Sequence, residues 1–338
     1  MANYKNIKGF NIQYLDSDPP NPIEGQMWFN STSQTLKGAE AGGFPLGTWS
    51  SGGNLNESKG FGGGAGTQTA TLIFGGALPS ATANTETYNG SSWTEVNNLN
   101  TGRLGISGNG TQTAAFGVGG TLGSPPGYLG NTELWDGTNW TEVNDTNNPR
   151  GYAGAGGTST AGLFAGGDNV DGVGGYTANT ESWNGTSWTE VNDLNNARSY
   201  LTGFGSQTAM IVAGGAQPPG PAPTTYKTFT ESWDGTSWTE VNDLNEAKQQ
   251  LQGSGISTSG LVFGGSSVSA VTANTEFWNG TSWTELSNLA TAREGVYPAH
   301  QGSSSATLAA GGSAPPGLVA STEEWTVPEY VVKTFTTS

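Results

Sequence analysis

The sequence predicts an all-β fold: a six-bladed β-propeller closed by an N-terminal strand, behind a short N-terminal extension. Three observations predict it. The phrase at 179–195, Asn-Thr-Glu-Ser-Trp-Asn-Gly-Thr-Ser-Trp-Thr-Glu-Val-Asn-Asp-Leu-Asn, recurs in near-copies whose second Trp falls at Trp93, Trp140, Trp188, Trp238 and Trp283. A period in the forties marks a propeller or a solenoid. Glycine pairs at 75–76, 119–120, 166–167, 214–215, 264–265 and 311–312 and third-strand aromatics Tyr88, Trp135, Trp183, Trp233, Trp278 and Trp325 each number six. Fourth strands that follow a third strand number five. An isolated copy of the back half of the phrase, around Trp49 and Leu55, supplies the sixth.

The elements follow in chain order. Residues 1–47 stand outside the repeat and read as an attachment or assembly segment, with a Pro-stiffened turn at 16–22, a strand, polar turn and strand over 26–36, and a loop over 38–47. The propeller is expected over 48–328. In the unit at 103–145, Arg103 opens a Gly-rich first strand. A turn at 110–113 leads to an apolar second strand ending in Gly119-Gly120. A variable loop, a third strand ending at Trp135, an Asp136-Gly137 turn expected to be type I′, and a fourth strand from Trp140 complete the unit. Four short strands per unit is a propeller blade. Residues 329–338 read as a tail whose alternating pattern can add a strand to the outside or to a partner chain.

Composition excludes several functions. The net charge of −16 with 11 Lys and Arg argues against nucleic acid, whose phosphates need basic clusters. The chain has no Cys and one His, so thiolate chemistry, disulfides and Cys- or His-cluster metal sites are not expected. A copper-radical oxidase site, which needs a Cys-linked Tyr and His ligands, is excluded on the same ground. No run of 18 apolar residues predicts a membrane span, and the first residues lack the apolar core of a signal peptide. No cofactor, no metal and no catalytic residue is assigned.

Strand direction divides the residues by face. Turns between strands one and two (Gly-Thr-Gln-Thr) and between three and four (Asn-Gly or Asp-Gly) are nearly constant and share one face. Loops between strands two and three differ in every unit and share the other face with the links between units. Variable loops on a rigid scaffold carry specificity, so Tyr128, Asp168, Asp171, Tyr176, Tyr226 and Lys227 are the candidate binding residues. The same loops can equally be tolerated insertions. Six of the eleven cations, Lys59, Arg103, Arg150, Arg198, Lys248 and Arg293, open the six units. They form either an anion site or, as one cation and one Glu per unit favours, a structural ring paired with Glu86, Glu133, Glu181, Glu231, Glu276 and Glu323. Fourth-strand acids such as Glu95 and Glu142 read as edge protection, and Asp168 with Asp171 as a weaker calcium possibility. His300 is placed in the last first strand, as a satisfied polar residue or a ligand contact near the axis.

An apolar strand ending in Gly-Gly, then Glu-x-Tyr/Trp, a further Trp, and a basic residue opening the next unit resembles the kelch repeat over about 48–327. The wording Asn-Thr-Glu-Ser-Trp-Asn-Gly-Thr-Ser-Trp, with Gly-Thr-Gln-Thr-Ala and the segment 25–38, resembles kelch-like virion proteins of tailed bacteriophages, particularly marine ones. That resemblance implies a non-enzymatic virion structural protein (tail fibre, baseplate or capsid appendage), made in the host cytoplasm. The expected partners are other virion proteins, a host surface glycan or receptor, and copies of itself. The alternatives are a free carbohydrate-binding propeller and a glycan-cleaving enzyme, which needs two carboxylates about 5–9 Å apart in a pocket.

Overall fold

Short apolar runs cut by glycine turns are too brief for helices, and among the described residues every regular element is a strand. The protein is seen here as a computed structural model that describes residues 12–19, 26–41, 47–78, 80–123, 127–169, 175–217, 225–328 and 330–335. The chain divides into two units, Thr48–Thr326 and a second formed by Met1–Gly47 with Val327–Ser338.

The larger unit repeats one antiparallel four-stranded sheet and is propeller-like. In the third repeat the strands are Gly154–Thr158, Ala161–Ala165, Thr180–Trp183 and Trp188–Val191, hereafter strands a to d. Strand b is buried along most of its length, strand d only at its Trp, a gradient from core to rim. The sheet at Ala306–Ala310 and Thr322–Thr326 takes its fourth strand from Thr48–Ser51, with Trp325 opposite Trp49. Its strand a is only Tyr297–Pro298, because Pro298 has no N–H to continue a ladder.

Each part of the recurring phrase has a bond to explain it. The Trp of strand c packs on the Trp of strand d, with ring centroids 5.2–5.4 Å apart in repeats two to five. The strand-d indole N–H donates to the Thr of strand c in the preceding repeat. Trp140 meets Thr85, Trp188 Thr132, Trp238 Thr180 and Trp283 Thr230. Trp49 meets Thr275, and Trp93 meets Thr322. Glutamines of the Gly-Thr-Gln-Thr turns also reach backwards: Gln112 donates to Tyr88 O at 2.7 Å, and Gln68 to Trp325 O at 2.7 Å.

Three local expectations need correction. The Asn-Gly and Asp-Gly turns are not two-residue type I′ turns. Tyr88 pairs with Trp93, leaving four residues between, and of the turn pair only the glycine has positive φ (Gly90, 88°). Asn89 Oδ1 instead accepts the Ser91 and Ser92 N–H groups, a side-chain substitute for the backbone turn. The basic residues do not open strand a either. Arg103 precedes the strand Ser107–Thr111 and lies in the link between repeats. Likewise His300 follows its strand rather than lying in it.

In the smaller unit, Met27–Asn30 pairs antiparallel with Thr35–Ala41, so part of the expected 38–47 loop is strand. Tyr330–Phe335 pairs antiparallel with that same strand. The terminal segment thus joins the N-terminal sheet and is not a separate tail. Asp18 ties the sheet together, accepting from Trp28 Nε1, Asn30 Nδ2 and Lys37 Nζ. The Lys37 ammonium and these two N–H donors hold its carboxyl down at about 2.

Candidate functional site

The larger unit carries its chemistry unevenly. On the face of the constant turns, Gln68, Gln112 and Gln207 donate to backbone carbonyls. On the other, each inter-repeat link lies beside the loop between strands b and c of its own repeat. Gly151 pairs with Asp168, Leu104 with Thr121, Ser199 with Ala216 and Glu294 with Ser313.

The six cations sit beneath these links. Each side chain has no exposure and lies 2.5–3.1 Å from its expected Glu. The glutamates do a second job. Glu133 Oε2 accepts Asn100 N and Nδ2, and Glu181 does the same for Asn147, tying the end of one repeat to the next. Burial pulls the arginines down despite the neighbouring carboxylates, Arg198 to about 10. Buried and paired cations present no charge to solvent, so the anion-site alternative finds no support in their geometry. Three further acids are engaged as well. Asp193 accepts Thr180 N, and Glu142 and Glu190 accept Asn131 and Asn148 amides.

Two residues beyond each cation is a position the sequence reading missed. It holds Phe61, Gly105, Tyr152, Tyr200, Gln250 and Gly295, all with φ between 54° and 64°. Their amides bond in series: Gly105 N to Phe61 O, Tyr152 N to Gly105 O, Tyr200 N to Tyr152 O, Gln250 N to Tyr200 O, Gly295 N to Gln250 O, and Phe61 N to Gly295 O, all at 2.7–2.9 Å. The left-handed backbone is what aims each N–H at the preceding carbonyl. Glycine adopts it freely; an L side chain costs about 1–2 kcal/mol there. Gly105 and Gly295 show that the bonding needs no side chain. Four positions nonetheless carry one, and strain retained where glycine would serve points to function.

Those side chains border a small cavity of about 40 Å³ whose lining includes Phe61, Tyr152, Tyr200, Gln250, Leu251 and Ser107. The Tyr152 ring covers Gly105, and the Phe61 ring covers Gly295. Tyr152 and Tyr200 pack at a 39° tilt with centroids 4.5 Å apart, and Tyr176 meets Tyr200 edge-on at 6.1 Å.

Asp168 belongs to this cluster. Its carboxylate accepts the Tyr128 hydroxyl. Half-burial raises its pKa, while the Tyr128 bond pulls it back. Burial and the Asp168 charge together push the Tyr152 hydroxyl up to about 12, and Tyr128, Tyr176 and Tyr200 are raised by the same two causes among others. Of the expected binding residues, Tyr128, Asp168 and Tyr176 therefore converge. Tyr226 pairs with Ala216. Lys227 sits with Nζ 5.3 Å from the Phe229 ring centroid. Asp171 lies outside the described residues.

Below the mouth, His300 lines a smaller space with Thr202, Gln252 and Ala155. It is buried, its Nδ1 has no partner among the described residues, and desolvation lowers its pKa to about 4. Gln301 crosses nearby, donating to Asn109 Oδ1 and Gly157 O, and its N–H to Gly66 O.

No protein-family model matches this chain. A comparison with curated proteins finds no match either.

Proposed function

We propose that the chain is a non-enzymatic virion protein of a tailed bacteriophage, a tail fibre, baseplate or capsid appendage. It presents a six-bladed, kelch-like propeller to a host surface glycan or a neighbouring virion protein. Two sets of repeat-to-repeat bonds support the count and the closure, since the Trp–Thr series and the left-handed amide series each visit six repeats and return to the first. The strand at Thr48–Ser51 is the closing strand of that ring.

The observation that carries the binding role is the tyrosine cluster in strained backbone on the variable-loop face. A binding rather than catalytic task is supported by the carboxylates. The repeated ones hold backbone amides and cations, leaving Asp168 as the acid of the cluster. The phage assignment rests on the resemblance of the repeat wording. Mass spectrometry of purified particles tests it: the protein is expected among the virion proteins, and its absence from particles that otherwise assemble sinks the reading.

The aromatic faces also favour a second reading, a free carbohydrate-binding propeller with no virion role. It predicts specific signals on a glycan array together with absence from particles.

A further inference from the structure

We infer that the mouth bordered by Phe61, Tyr152, Tyr200 and Gln250 binds an organic cation, an ammonium or guanidinium group held on the tyrosine faces beside Asp168. The inference rests on the variable-loop face being the binding face, and adds which chemistry it takes.

Four observations converge on this ligand. Aromatic faces carry negative potential and attract cations, most strongly where water is excluded. Here Tyr152 and Tyr200 pack at a tilt and border the cavity, and Tyr176 meets Tyr200 edge-on beside them. The backbone that presents Tyr152 and Tyr200 is strained, and glycine satisfies it elsewhere in the same series, so these rings are not there for the fold. Asp168 is a half-buried carboxylate whose partners, the Tyr128 hydroxyl and the Asn169 backbone, are neutral, and among the described residues no cation pairs with it. The six basic residues that would compete are sequestered beneath, with no exposure. A cation from outside completes the charge balance; an anion meets only a carboxylate and ring faces. The net charge of −16 steers ligands of the same sign of charge as the missing partner.

Calorimetric titration of the full chain tests this with tetramethylammonium and choline for the ammonium arm and argininamide for the guanidinium arm. The uncharged isostere 3,3-dimethylbutan-1-ol serves as control. At least one cation is expected to bind five-fold or more tighter than the isostere. Asp168→Asn and Tyr200→Ala should each weaken it at least five-fold, while Tyr200→Phe, which keeps the ring face, stays within two-fold. Should Tyr200→Ala fail to fold, the Asp168→Asn and Tyr200→Phe pair decides alone. Equal binding of the isostere, indifference to Asp168→Asn, or no cation binding at tens of millimolar overturns the inference. Particle composition reads the virion proposal separately, so neither result can stand in for the other.

Discussion

At the scale of single residues, the paired ring and His300 give the sharpest expectations. Arg150 and Glu181 are both fully buried, 2.5 Å apart, and Glu181 also takes two amide groups of Asn147. Removing one partner strands a buried charge, so Glu181→Ala should destabilise by about 3–5 kcal/mol in a urea melt. A loss under about 1 kcal/mol would show the pair to be dispensable. His300 behaves oppositely to a His that gains a partner. Its pKa in the fold is near 4, below the ordinary 6.5, so the unfolded chain takes up the proton first. Stability from this residue is complete above pH 6.5, falls as pH drops through the window at about 1.4 kcal/mol per unit, and is gone near pH 4. Compared with the native chain, His300→Gln should flatten stability against pH between 6.5 and 4. Parallel curves would refute the assignment.

At the scale of elements, the links between repeats matter more than the strands they join. One short link carries the buried cation, the left-handed amide and the pairing with the variable loop. Gln250 has φ of 54° and borders the mouth without a ring. Gln250→Gly should therefore hold or raise stability, by up to about 1 kcal/mol, since relief of left-handed strain slightly exceeds the entropy glycine adds to the unfolded chain. A thermal melt shifted downward by several degrees would mean the side chain is needed for packing. The turns teach a related lesson. Asn-Gly reads as a two-residue hairpin in sequence, but the Tyr88–Trp93 pair flanking it leaves a four-residue connection, and Asn89 accepts two N–H groups to hold it.

At the scale of the whole molecule, the strand Thr48–Ser51 joins the start of the repeat array to its last sheet, as the outer strand beside Thr322–Thr326. Its Trp49 ring lies 5.0 Å from Phe263 and 5.5 Å from Trp325, joining the fifth and sixth repeats. A chain beginning at Lys59 lacks it and exposes the edge of Thr322–Thr326, which templates pairing with other copies. It should elute as oligomers or precipitate in size-exclusion chromatography. A monomer with an unchanged melting midpoint would refute the role given to this strand.

The repeated sheet, the pairing of each cation with its Glu and the separation of constant from variable turns were legible in the sequence. Repetition exposes them: a residue kept in every copy must meet the same neighbour each time, as Arg103 meets Glu133 and Arg150 meets Glu181. Tyr152 and Tyr200 were not legible, because their position varies from Gly to Gln to Phe and repetition hides it. Backbone geometry alone marks it, through the shared φ near 60° and the amide series. Nor could the sequence place Tyr128 beside Asp168, forty residues on in another repeat, or join Tyr330–Phe335 to Thr35–Ala41. Local pattern dictates what each strand and turn becomes, since those depend on near neighbours. Which side chains from different repeats share one mouth depends on how the repeats are stacked, and only the tertiary structure decides that.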